Sequence, residues 1–162
     1  MSTFQAAVAY STRRIAARLT PGSDLFQGIR DICERYDITC ASIDLLLGSL
    51  RSATVTCITS DPNSPSGTVY RPPLTVSGPL ELIGAWGTIG VEDNAIAVHL
   101  HGLVALDEHS PICGHFVDSG ENLVLATAEI QLTELMGMEW LREIDSETGF
   151  PLFKPQQGDP QP

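Results

Sequence analysis

The sequence predicts an α+β fold in which a largely antiparallel β-sheet packs against one main α-helix. From residue 40 onward, short β-rich segments recur between tight turn signals, as they do in antiparallel sheets. Only residues 25–36 repeat their apolar side chains at helical spacing. With 162 residues and 43% hydrophobic side chains, the chain is long enough for one domain with a substantial core.

The first part of the chain is predicted to hold one strand and the helix. Residues 1–11 are expected to form a flexible leader, and residues 13–19 a strand that ends at a Thr-Pro-Gly turn. Ser23 or Asp24 can then cap the helix. One helical face is apolar and is expected to pack on the sheet: Leu25, Phe26, Ile29, Ile32, Cys33 and Tyr36.

The middle of the chain is predicted to consist of strands and one long loop. Two β-rich runs, 40–47 and 53–59, are joined through Gly48-Ser49, which would allow a bulge or a sharp bend. Residues 60–73 contain four prolines and are expected to be an extended loop. Further strands are expected at 79–89, 94–105, 112–118 and 121–133.

These elements are expected to form one domain over residues 12–153. Residues 154–162 contain Pro, Gln and Gly and little that a core could bury, so they are predicted to be a disordered tail. The sequence shows no internal repeat.

The charge balance is strongly acidic. Nine Lys and Arg against twenty Asp and Glu give a formal net charge of −11. Because non-specific nucleic-acid binding depends on basic side chains, this balance makes DNA binding doubtful. No apolar run approaches the ~18 residues that span a bilayer, and residues 1–10 lack a signal-peptide pattern, which favours a cytoplasmic location without a membrane partner. The four cysteines show no C-x-x-C spacing and are expected to be reduced.

Three histidines form the clearest chemical pattern. Because side chains two residues apart on a strand point to the same side, His99 and His101 share one strand face. A turn at 107–111 brings the chain back, which places His115 on the neighbouring strand. Three neutral imidazoles suit zinc and leave a fourth position open. The alternative is histidines hydrogen-bonded across strands without a metal, and His109, in the polar turn, is expected to be solvated.

Two further residues qualify as an additional ligand or outer-shell group. Cys113 lies two residues before His115 and can share its face, where a thiolate would close the site as a structural one. Glu81 is an acid within a mostly apolar strand and needs a partner if it is buried. Glu81 and Glu129 are also the candidate bases if the metal is catalytic. The pattern leaves the structural and the catalytic site both open.

Five motifs occur in the order known from one family: Leu19-Thr20-Pro21-Gly22-Ser23-Asp24-Leu25, Gly48-Ser49-Leu50, Gly78-Pro79-Leu80-Glu81-Leu82-Ile83, His99-Leu100-His101 and Gly114-His115. The chain resembles the PPC (plant and prokaryote conserved) domain, which also occurs in plant AT-hook nuclear proteins, over residues 13–135. The resemblance implies a homotrimer, and it implies a zinc-type site at His99, His101 and His115. The chain departs from the family's Gly-Gly-His by carrying Cys113 in place of the first glycine.

The resemblance bears on function in two ways. In plant members, the segment that matches residues 78–83 engages partner proteins, although a core strand is the simpler interpretation here. The family is described as DNA-binding, but in plants the AT hook supplies that contact and this sequence has none. Two functions therefore stay open. One is a binding or regulatory module, and the other is a metal-dependent hydrolase or lyase that acts on a small molecule.

Overall fold

The computed structural model describes residues 4–158, which form one helix and ten strands. In chain order these are β1 (Ser11–Leu19), α1 (Leu25–Tyr36), β2 (Ala41–Thr56), β3 (Ile58–Ser60), β4 (Thr68–Tyr70), β5 (Leu74–Glu92), β6 (Ala95–Ala105), β7 (Pro111–Phe116), β8 (Val124–Met136), β9 (Met138–Ile144) and β10 (Pro151–Gln157). Eight strands form one sheet in the order β1-β8-β2-β7-β6-β5-β9-β10, and β3 pairs with β4. The predicted combination of a largely antiparallel sheet and one main helix is confirmed. No helix in the described part of the chain is long and apolar enough to cross a membrane.

The helix α1 is capped at both ends by aspartates. The Asp24 side chain accepts hydrogen bonds from the main-chain N–H groups of Phe26 at 2.9 Å and Gln27 at 3.0 Å. Asp37 ends the helix in the left-handed conformation, with φ 55°. The buried face comprises Leu25, Phe26, Gly28, Ile29, Ile32 and Cys33. Tyr36, which was expected on this face, is 46% exposed.

Strand β2 organises the sheet because it pairs with β5, β7 and β8. Because β5 also pairs with β6 and β6 with β7, the strands β2, β5, β6 and β7 form a closed ring of paired strands. The strand bends at Gly48, where φ is 151° and the register with β8 shifts before Leu50. A Cβ atom at Gly48 would lie 2.1 Å from the carbonyl oxygen of Thr127, so a side chain does not fit. The two predicted runs therefore form one continuous strand, Ala41–Thr56, with a bulge-like shift of register at Gly48-Ser49.

The core lies between α1 and one face of the sheet. Phe26 and Ile29 of α1 are almost completely buried, and so is Leu100 of β6. Since alternate residues of a strand point to opposite sides, the neighbours of Leu100 on β6 face away from this core. This alternation places His99 and His101 on the outer face, as predicted.

The amino-terminal segment differs in part from the predicted leader. β1 begins at Ser11, within the expected leader. The Gln157 side chain accepts a hydrogen bond from the main-chain N–H of Val8 and donates one to its carbonyl oxygen, both at 3.0 Å. Residues 1–3 lie outside the described residues.

The carboxyl-terminal segment corrects the predicted tail. Residues 154–157 belong to β10, which pairs with β9 at the edge of the sheet. An edge strand tolerates Pro155 and polar side chains because one of its sides needs no partner, so composition gave no strand signal here. β4 likewise lies within the proline-rich stretch expected to be an extended loop. The remainder of the predicted tail, 159–162, lies outside the described residues.

Candidate metal centre

The three histidines lie on two adjacent antiparallel strands. His101 of β6 is directly opposite His115 of β7, and His99 precedes His101 by two residues on the same face. The preceding hairpin holds β6 in register with β5 through Asp93 and Asn94, which both adopt the left-handed conformation (φ 51° and 64°). This conformation is typical of the two-residue turn that joins twisted strands.

The three imidazole rings converge on one point. One nitrogen of each ring lies within 4.8 Å of the ligand nitrogens of the other two. Nδ1 of His115 is 3.3 Å from Nε2 of His101. A tetrahedral ion that binds nitrogen at about 2.0–2.1 Å separates its ligand nitrogens by roughly 3.3 Å. The pair His101–His115 therefore has the spacing of two ligands. The same distance is that of a hydrogen bond between the two rings across the strands, which is the metal-free alternative for this pair.

Burial keeps the histidines in their neutral form. Desolvation is the main reason why the pKa of His99 and that of His115 fall to about 4. The neighbouring imidazoles and the positive charge of Arg142 lower both pKa values further. His101 is the most exposed of the three, and partial burial also lowers its pKa. Because neutral imidazole is the form that binds a metal ion, all three side chains are prepared to act as ligands.

One ring nitrogen is buried without a partner. Nε2 of His99 makes no hydrogen bond to any described residue. Leaving such a group unpaired costs about 1–3 kcal/mol, and coordination of a cation would remove that cost. Three nitrogen donors with a fourth position open are a set that zinc accepts. The residues present therefore fit a zinc-like ion.

Aromatic side chains from distant parts of the chain cover two of the histidines. The Phe153 ring of β10 stacks beside His99, with centroids 6.5 Å apart and an angle of 25° between the planes. Tyr70 of β4 lies 5.1 Å from His115, and Phe150 lies 5.3 Å from Tyr70, both measured between ring centroids. An aromatic ring therefore covers part of His99 and another covers part of His115.

The exposed side of the site adjoins Trp86. This residue of β5 is directly opposite His101 in the sheet, and 55% of its surface is exposed. The ring lies over Gly84, where a Cβ atom would be 3.0 Å from it.

Arg142 of β9 places a positive charge beside the aromatic wall. Its guanidinium carbon lies 5.8 Å from the centroid of the Phe153 ring. One of its nitrogens forms an ion pair with Glu92 at 3.4 Å. The sequence gives no signal for Arg142, Phe153 and Tyr70 at this site, because each lies on a strand that composition does not predict. Arg142 and Phe153 reach the histidines because β9 and β10, which follow β8 in the chain, lie beside β5 in the sheet.

The other residues singled out in the sequence lie apart from the three histidines. Cys113 is exposed and is not in the ligand cluster found among residues 4–158. Glu81 is exposed and pairs with Ala105, four residues beyond His101, which is about 13 Å along a strand. Glu129 is exposed on β8, outside the β5–β6–β7 surface that carries the cluster.

Two smaller expectations concern the β6–β7 hairpin. His109 lies in the turn, as expected, where it is exposed and its main-chain N–H donates to the Asp107 carboxylate at 2.8 Å. Gly114 permits the close approach of a neighbouring main chain, because a Cβ atom there would lie 2.5 Å from the carbonyl oxygen of Thr56. The glycine is therefore explained by the packing of β2 against β7 beside His115.

Comparisons with known proteins bear on the family and the fold. A comparison with curated protein sequences finds no match. Among solved structures, a metal-containing protein from Archaeoglobus fulgidus is 23% identical, with a TM-score of 0.74 over 94% of this chain and 99% of that one. A plant- and prokaryote-conserved protein from Pyrococcus horikoshii is 22% identical, with a TM-score of 0.71 over 95% and 96%. A "Putative DNA-binding protein" from Ralstonia eutropha JMP134 is 19% identical, with a TM-score of 0.66 over 85% and 88%.

At these identities the structures show a shared fold and nothing more. The family follows from the sequence itself, because the model of the Plants and Prokaryotes Conserved (PCC) domain matches residues 7–136. That is the family to which the five motifs point, and the matched region contains all three histidines of the cluster. The chain therefore belongs to the Plants and Prokaryotes Conserved domain family.

Proposed function

We propose that this protein binds one divalent metal ion, zinc, through His99, His101 and His115. The observation that carries the proposal is the convergence of three neutral imidazoles, one of which has a buried Nε2 without a hydrogen-bond partner. Coordination would satisfy that nitrogen and would explain why three such rings are held so close together. The metal-containing protein from Archaeoglobus fulgidus, which shares the fold, supports the same interpretation.

The site favours a reactive metal over a purely structural one. Zinc at a structural site has four protein ligands, whereas the cluster in residues 4–158 offers three. A zinc ion with an open position supplies Lewis acidity and a bound water of lowered pKa. The chain's own residues hold the ion and, through Phe153 and Tyr70, keep bulk water from two sides of it. We therefore propose a metal-dependent hydrolase or lyase acting on a small molecule as the more specific function.

A DNA-associated regulatory role is the second candidate. It rests on structural neighbours described as putative DNA-binding proteins. The net charge of −11 opposes it, because phosphate contacts need clustered Lys and Arg. The metal site is therefore the better supported basis for function.

Metal analysis of tag-free protein tests the proposal. We expect about one zinc ion per chain by plasma mass spectrometry after dialysis. His101→Ala should lower the metal content at least tenfold, because it removes the most accessible of the three ligands. Cys113→Ser should leave the content unchanged if the site has an open fourth position.

His109→Ala is the matched control, since it removes an exposed histidine of the same hairpin that lies outside the cluster. It should retain the metal. A wild-type protein that binds no divalent ion at micromolar concentration would refute the proposal. A large loss of metal in Cys113→Ser would instead show a closed structural site.

A further inference from the structure

The side chains beside His99 come from a part of the chain outside the family match, whereas Tyr70 beside His115 lies within it. That match ends at residue 136, whereas Arg142 and Phe153 lie on the β9–β10 hairpin. The hairpin is tied to β5 through a parallel pairing of Val91 with Leu141. Gly90 of β5 makes room for it, because a Cβ atom there would lie 2.5 Å from the Phe153 ring. This hairpin adds features beside the metal ligands that the matched domain does not supply.

The hairpin brings a positive charge to the site of a strongly acidic protein. The positive charge of Arg142 lowers the pKa of both His99 and His115. Its ion pair with Glu92 is the only one found for it among residues 4–158, and this pair joins a single guanidinium nitrogen to the carboxylate at 3.4 Å. A guanidinium carries five N–H donors, so most of them remain free for a ligand. A bound zinc ion would add two further positive charges beside it.

The aromatic rings beside His99 and His115 restrict the shape of a ligand that can bind at the site. The Phe153 ring lies beside His99 and the Tyr70 ring beside His115, and Phe150 packs edge-on against Tyr70. Such surfaces favour a flat apolar body, which stacks or packs edge-on against them. They offer little to a fully hydrated anion such as phosphate.

We propose that the site binds a small planar carboxylate, whose carboxylate group lies between the histidine-bound metal ion and Arg142 and whose apolar body packs against Phe153. Arginine suits this role because its planar guanidinium matches a carboxylate in a two-bond fork. The inference deepens the proposed function by naming its ligand class, and it rests on metal binding at the three histidines. Arg142 and Phe153 are then the residues that determine specificity.

Calorimetric titration with benzoate tests this ligand class directly. The zinc-loaded protein should bind benzoate, and it should bind neutral benzamide at least tenfold more weakly. Arg142→Gln should weaken benzoate binding about tenfold, because it removes a charged hydrogen-bond partner. Phe153→Leu should weaken benzoate binding about threefold and leave acetate binding unchanged, because acetate has no ring to stack.

Arg35→Gln is the matched control, because it removes the same charge from the exposed side of α1. It should bind benzoate as the wild type does. Arg142→Lys, which keeps the charge and loses the planar fork, provides a second variant if Arg142→Gln does not fold. It should bind benzoate several-fold more weakly than the wild type.

The outcomes separate the two proposals. If the wild type retains zinc but does not bind benzoate, or if Arg142→Gln and Arg142→Lys bind it as tightly as the wild type, the ligand class is wrong and the metal site stands. Tighter binding of inorganic phosphate than of benzoate would also overturn the ligand class. If the wild type holds no zinc, the proposed function itself fails.

Discussion

His99 and His115 are half-buried, and among the described residues no carboxylate stabilises a positive charge on either ring. His101 and Arg142 act on both rings, His99 also acts on His115, and all of them oppose protonation. In the metal-free protein, His99 and His115 therefore bind a proton more weakly in the folded state than in the unfolded chain. This difference links folding to pH.

The metal-free protein should lose stability as the pH falls from about 6.5 towards about 4. In the unfolded chain the two histidines bind protons near pH 6.5, whereas in the folded state their pKa is about 4, so the unfolded state takes up more protons in this window. Above about pH 7.5 the histidines are neutral in both states and contribute no slope. Urea unfolding at pH 7.5 and 5.0 in the presence of a chelator measures the effect.

His99→Gln provides the comparison, because the carboxylates of the protein titrate equally in both proteins. The variant should lose less unfolding free energy between the two pH values than the wild type does. Equal losses would show that His99 is not the source of the pH dependence.

At the residue scale, the sequence predicted the ligands better than their surroundings. A period of two and one hairpin turn were enough to bring His99, His101 and His115 together, because all three lie within 17 residues and two paired strands. Phe153, 54 residues beyond His99, reaches it only through β9 and the antiparallel turn into β10. A local pattern carries no information about such a contact.

At the element scale, the start of α1 is connected to the rest of the fold through one carboxylate. Asp24 caps the helix with Oδ1 and accepts from the main-chain N–H of Asn122 with Oδ2 at 3.1 Å. Asn122 is completely buried, and its side chain bonds the main chain of Thr54 and Val117. The cap therefore joins the helix to β2 and to the segment that follows β7.

Asp24→Ala should lower the free energy of unfolding by about 1–2 kcal/mol or more, because it removes a helix cap and leaves the Asn122 N–H without its partner. Asp31→Ala, on the exposed side of the same helix, should change it by less than about 0.5 kcal/mol. Equilibrium urea denaturation monitored by tryptophan fluorescence gives both values. Equal effects of the two substitutions would show that Asp24 has no special role.

The elements that the sequence did not predict share one physical cause. β4 has three residues, β9 is joined to β5 through a single residue pair, and β10 lies at an edge, so their strand conformation comes from pairing with another segment instead of from their own composition. The helix and the strands of the β6–β7 hairpin were predictable because their buried faces repeat at the period of the structure.

At the scale of the whole molecule, the exposed apolar residues of β5 point to self-association. Trp86 and Ile83 are 55% and 56% exposed. The resemblance to the PPC family implies a homotrimer, and a partner subunit packed on Trp86 would border the metal site beside His101.

We expect light scattering at micromolar concentration to give a mass three times the 17.4 kDa of the monomer. Trp86→Glu should shift the protein towards the monomer, because it would bury an unpaired charge in the interface. Ile144→Glu should not, although Ile144 is 69% exposed and the charge change is the same. A wild-type mass of 17.4 kDa, or an unaltered mass for Trp86→Glu, would contradict this assignment of the interface.

The position of β1 in the sheet has a consequence for how the chain acquires its structure. β1 pairs with β8, so that Ser11 lies opposite Met136 and Leu19 opposite Ala128. During synthesis, β1 therefore has no partner in the sheet until more than 100 residues have followed it. Closing so long a loop makes folding slow compared with that of a helical protein of the same size. The helix can form early, but the edge of the sheet beside it is completed among the last steps of folding.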